Sequence, residues 1–143
     1  MRCFYVAVLI LSSVCAVAQE TNFWHVLAEV GFKKTKMAGG EMEVPIFSAH
    51  LKAYHGKKIK LKGFVIPVSE TGDESKFMLS SLPFNVCYFC GAAGPETIVE
   101  VDANQKVKFT SQAIWMEGIL YLNEKDPDHH IYILKSARTI QSP

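Results

Sequence analysis

The chain has 143 residues, with 15 basic and 14 acidic side chains, a formal net charge of +1 and four cysteines. This length suits one domain with one core, and the near-balance of charge argues against a polyanion partner, which calls for a basic surplus on one face. After the N-terminal region no segment approaches the ~20 apolar residues that a membrane-spanning helix needs.

Met1-Arg2, the uncharged run Cys3 to Val14 and the small residues Ala16-Val17-Ala18 have the n-region, h-region and cleavage site of a secretory signal peptide. Residues 1–18 are therefore read as a signal peptide and residues 19–143 as a single domain, periplasmic or secreted. Cys15 raises the alternative of lipidation, but Val14 precedes it where a small residue belongs. Cleavage after Ala18 removes Arg2, which leaves 14 basic against 14 acidic residues, and removes Cys3 and Cys15, which leaves Cys87 and Cys90.

Along the mature chain, Thr21-Asn22 is expected to cap a short helix with Phe23, Leu27 and Val30 at helical spacing. Trp24 and His25 on it read as packing or surface residues. Lys33 to Glu43 is polar, has Gly39-Gly40 in its middle and reads as a loop. Ser48 is expected to cap one or two turns through Leu51 and Tyr54, ended by Gly56. His50 and His55 on this element have no ligand-like neighbour in sequence.

Lys58 to Val68 alternates polar and apolar before turning continuously apolar, the pattern of a long strand, and Gly63 at the changeover suits a bulge or sharp bend. After a hairpin-type loop around Gly72-Asp73, Phe77 to Leu82 reads as a second strand. Thr97 to Val101 reads as a third, Asp102 to Gln105 as a turn and Val107 to Thr110 as a short extended piece. Ala113 to Leu122 and Ile131 to Leu134 complete the set. These signals predict an all-β domain with minor helix, a small OB-like barrel of five or six strands with a short N-terminal helix.

The most chemically loaded stretch is Cys87-Tyr88-Phe89-Cys90-Gly91-Ala92-Ala93-Gly94-Pro95-Glu96. A helix cannot propagate through Gly91, Gly94 and Pro95, which argues against a thioredoxin fold, where the cysteine pair opens a long helix. The mature chain, over roughly Phe23 to Thr139, resembles a group of small uncharacterised exported bacterial proteins. The resemblance is carried by Gly63-Phe64-Val65-Ile66-Pro67, Phe77-Met78-Leu79-Ser80, the Cys-x-x-Cys-Gly-x-x-Gly-Pro-Glu turn and Glu117 to Asn123. A more distant exported group is similar near Cys87 but has a proline-rich turn in place of Gly91 to Pro95. The resemblance implies an exported OB-like domain with the Cys turn as its signature, and names no substrate.

Three outcomes are open to Cys87 and Cys90. They can hold a metal, zinc above all, since Cys-x-x-Cys-Gly is half of a zinc knuckle. They can form a disulfide that pins the turn. They can act as a thiol-disulfide redox centre, although no helix N-terminus follows to lower a thiol pKa. A metal needs further ligands, and the candidates are His129, His130, Glu96 or the cysteine pair of a second subunit, so a homodimer or another envelope protein is a possible partner. No nucleophile elbow, zincin helix, phosphate loop or dinucleotide fingerprint is present, and nothing in the sequence designates a catalytic residue.

Overall fold

The computed structural model describes residues 22–37, 39–68, 73–83, 85, 91 and 93–141. The expected signal peptide with Cys3 and Cys15, and both Cys87 and Cys90, lie outside the described residues.

The elements run in the order α1 (Trp24–Leu27), β1 (Gly31–Met37), β2 (Gly40–Ile46), α2 (Ala49–Lys52), β3 (Lys58–Ile66), β4 (Asp73–Ser80), β5 (Ile98–Lys108), β6 (Ile114–Leu122) and β7 (Tyr132–Ile140). The last five strands close into a barrel in the order β3-β4-β5-β7-β6, so the expected small all-β barrel is the observed fold. All pairings in it are antiparallel except β5 with β7, which lie parallel.

Alternation builds the core. Ile59, Leu61 and Val65 of β3 point inward beside Phe77, Leu79, Val99, Val101, Met116, Leu120, Tyr132 and Leu134, while Lys58 and Lys62 stay outside. Gly63 marks the corner: residues 58–63 pair with β6 and residues 64–66 with β4. A Cβ at Gly63 would lie 2.5 Å from the Ser80 carbonyl oxygen and 2.9 Å from Leu79 Cγ, so only glycine lets the strands approach this closely.

Before the corner β3 has an edge that β4 does not cover, and the N-terminal segment takes it. Phe23 N donates to Lys60 O (3.2 Å), Lys62 N donates to Asn22 Oδ1 (3.1 Å), and Trp24 Nε1 donates to Lys62 O (2.8 Å). Asn22 thus caps a strand edge and not the helix, whose N-cap is Phe23 without a side-chain bond. Ser48 does cap α2, accepting from Leu51 N at 3.0 Å, and Gly56 follows at φ +77°. Val26, Leu27, Phe47 and Leu51 fill the adjoining barrel end and belong to the core.

Three expectations are corrected. Lys33 to Glu43 is not a loop: residues 33–37 lie in β1 and 40–43 in β2, which pair as a two-stranded sheet separate from the barrel. Asp102 to Gln105 is not a turn, because β5 runs unbroken from Ile98 to Lys108, its partners on β4 jumping from Val107 to Asp102 as β4 advances from Glu74 to Lys76. Of the residues between these pairs, Asn104, Gln105 and Lys106 are exposed, which accounts for their polar character, while Ala103 turns inward. The last strand does not stop at Leu134 but continues to Ile140 through Ser136, which adopts φ +50°.

Candidate functional site

Parallel pairing of β5 with β7 decides what meets at the plugged end of the barrel. Glu100 lies opposite Ile133, so the 94–97 segment that leads into β5 and the loop that carries His129-His130 enter the barrel side by side. Ser81 N and Ser81 Oγ both donate to Thr97 O, at 2.9 and 3.2 Å, and draw the two ends of the 82–96 connection together. Thr97 in turn donates through N (3.1 Å) and Oγ1 (2.7 Å) to Gly94 O, winding Pro95–Thr97 into a single 3-10 turn. The Glu96 carboxylate folds back over Gly94 so closely that a Cβ there would overlap it.

The β6–β7 loop is wound around Asn123. Its Nδ2 donates to the carbonyls of Asp126 (2.7 Å), His129 (3.0 Å) and His130 (3.2 Å), while its Oδ1 accepts from Lys125 N and Asp126 N. Asp126 Oδ1 accepts from Asp128 N (3.0 Å), a local turn of the kind Asp favours. Glu100, on the outer face of β5, then pins the loop: its carboxylate bonds His129 Nδ1 at 2.8 Å and accepts from His130 N at 3.0 Å.

The two histidines have opposite surroundings. His129 is half-exposed, and the Glu100 carboxylate beside it raises its pKa. His130 is turned to the barrel end, its ring tilted on that of Tyr132, and burial pushes its pKa down to about 4. Because Tyr132 N–H must donate to His130 Nδ1 (3.3 Å), the neutral imidazole carries its proton on Nε2. The Tyr132 hydroxyl donates to Leu27 O at 2.6 Å, and burial, with smaller contributions from the charges of Glu96 and Glu29, raises its pKa.

A second cluster joins α1 to α2. Glu29 accepts from Ser48 Oγ (2.9 Å) and bonds His50 Nδ1 (2.9 and 3.1 Å); these bonds hold its carboxyl below the usual range. Ser48 and His50 thus share one carboxylate, an arrangement that ties two short helices and offers no hydroxyl-to-imidazole proton relay.

Sequence reasoning selected His129, His130 and Glu96, and all three lie at the end of the barrel where the 82–96 connection is anchored. It missed Glu100, Asn123 and the Glu29 cluster. Glu100 looks like any outward position of an alternating strand, and partners 29 residues apart leave no local signal. Among the described residues, no group of three or more His, Cys, Asp or Glu is close enough to hold a metal.

These features define a small closed β-barrel, plugged at one end by two short helices, with a long β4–β5 connection beside a histidine-bearing loop. No protein-family model matches the chain, and no curated protein does. A solved structure, the crystal structure of a DUF3299 family protein from Pseudomonas aeruginosa PAO1, is similar over 64% of this chain at 21% identity, with a TM-score of 0.48. The similarity spans 66% of that chain, just under two thirds of its length.

Proposed function

We propose that this chain is a small exported binding module, an OB-like barrel of the group marked by the Cys-x-x-Cys-Gly-x-x-Gly-Pro-Glu turn, and that Cys87 and Cys90 bind a thiophilic divalent ion. Zinc suits such a donor set, two soft thiolates completed by imidazole or carboxylate. One observation carries the reading: the parallel β5–β7 register brings the loop bearing His129 and His130 alongside the strand that leaves the Cys turn through Glu96. The strand order β3-β4-β5-β7-β6 supports the OB-like description.

Hydrogen bonding ranks the internal ligands. His129 Nδ1 is engaged by Glu100, the carboxylate–histidine arrangement that leaves Nε2 with its lone pair for a metal. His130 has its proton on Nε2 while Nδ1 accepts from Tyr132, so it must break that bond or shift its proton to become a ligand. The order is therefore His129 before His130, with Glu96 as the carboxylate alternative and a second subunit's cysteine pair as the external one.

Element analysis together with native mass tests this on protein purified without oxidation and supplied with zinc. One zinc per chain in a monomer implicates His129, and His129→Ala then weakens binding. One zinc per two chains in a dimer means four sulfurs from two subunits. Cys90→Ser abolishes binding in both cases. Absence of stoichiometric metal, with the thiols released only by reductant, overturns the reading in favour of a structural disulfide, while a thiolate reactive well below the free-cysteine pKa turns it to redox chemistry.

A further inference from the structure

Among the described residues the β1–β2 hairpin pairs with no barrel strand, and an isolated two-stranded hairpin is marginal in water. Its two faces differ in chemistry. On one, Lys34 lies opposite Glu43 and Lys36 opposite Glu41, so charge cancels. On the other, Lys33 lies opposite Val44 and Thr35 opposite Met42, and this face looks into an open groove of about 640 Å³. Met42, Val44, Ile46 and Phe47 line its floor and Pro127 of the β6–β7 loop its far wall. Met42 is 46% and Ile46 49% exposed, more than apolar packing would leave.

Three lysines, Lys33, Lys52 and Lys125, stand around this floor against one carboxylate, Glu124, which lies 3.2 Å from Lys52 Nζ. The groove side therefore carries a surplus of two positive charges that the opposite face lacks. A smaller cleft of about 130 Å³ lies between β2 and Asn123 to Pro127 beside it.

We infer that this groove docks an extended segment of a partner protein in which carboxylates alternate with bulky apolar side chains, the segment lying across the hairpin face that Met42, Val44 and Ile46 present. The apolar floor takes alternate side chains, and Lys33 and Lys125 meet the carboxylates. A second copy of this chain is a poor occupant, because two such faces meeting would set lysine against lysine. A membrane surface is equally poor, because the apolar side chains floor a concavity instead of projecting from it.

Panning the full chain against a random dodecapeptide phage library, with the double variant Lys33→Glu/Lys125→Glu as counter-target, tests the inference. Wild-type protein is expected to enrich peptides alternating Asp or Glu with Leu, Ile, Val or Phe. The enriched synthetic peptide should bind the double variant and Met42→Asp at least tenfold more weakly, and Lys34→Glu on the opposite face within about twofold. Hydrogen exchange should slow in 40–46, the strand that floors the groove, when the peptide is added. No enrichment, equal binding to wild type and double variant, or unchanged exchange in β2 overturns the proposal. Binding to phosphatidylglycerol vesicles that depends on Lys33 and Lys125, in the absence of peptide enrichment, assigns the face to a membrane instead.

Discussion

His129 and His130 are neighbours whose protonation acts on stability in opposite senses. Burial holds His130 at about 4 against an ordinary 6.5, so between those values the unfolded chain takes up a proton that the folded chain refuses. In chelator-treated protein, stability should therefore fall as pH drops through that window, by on the order of 3 kcal/mol when fully expressed. His129 has a raised pKa, so its contribution is full below the ordinary histidine value and is lost as pH rises through the raised one. Urea unfolding between pH 4 and 8 reads both, and His130→Asn, which keeps an acceptor near the place of Nδ1 but does not titrate, should flatten the acid limb. Tyr132→Phe leaves Leu27 O without its buried donor. The expected loss is about 1–3 kcal/mol in the same urea experiment, at every pH, since the hydroxyl does not ionise in this range.

Among the elements, Gly63 and Ser136 each concentrate a backbone requirement in one residue. Gly63→Ala drives a methyl group onto the Ser80 carbonyl, which cannot move without parting β3 from β4. The thermal midpoint should fall by an amount equivalent to about 3 kcal/mol. Gly118→Ala meets the Leu134 side chain at 2.7 Å and the Lys135 carbonyl at 3.0 Å; Leu134 can give way, so the fall should be smaller. Ser136 holds a positive φ inside β7, where its carbonyl accepts from Asn104 Nδ2 at 3.3 Å. Ser136→Gly should raise stability by up to about 1 kcal/mol and Ser136→Val lower it by about 1–2 kcal/mol, both measured by urea titration. The same contrast explains what could be read in advance. β3 was legible because one of its faces is core and its glycine sits where the apolar pattern changes. The β1–β2 hairpin was not, because neither face reaches the core and so no alternation is imposed on Lys33 to Glu43. Asp102 to Gln105 has turn-forming composition, yet the register shift lets Asp102, Asn104 and Gln105 stay solvated within a strand. At the site, the histidine loop could be picked out by residue type, but its fastening to Glu100 is a product of strand order and has no local trace.

For the molecule as a whole, the plug and the barrel are one core. Leu27 and Leu51, from short helices that precede every barrel strand, are as fully buried as Leu61 or Leu134 within it. The parallel β5–β7 contact has a consequence for the order in which that core can be assembled. β7 lies between β5 and β6, so until it arrives both strands show an open edge and Tyr132 is missing from beneath the helical plug. It is also the last barrel strand to leave the ribosome. Until β7 has emerged the chain should thus lack a closed core, with strand edges open to aggregation. A chain stopped after His130 should be protease-sensitive and recovered as aggregate, and adding a synthetic peptide of residues 131–141 during refolding should restore resistance to limited proteolysis; failure of that complementation would mean that β7 is not what closes the fold.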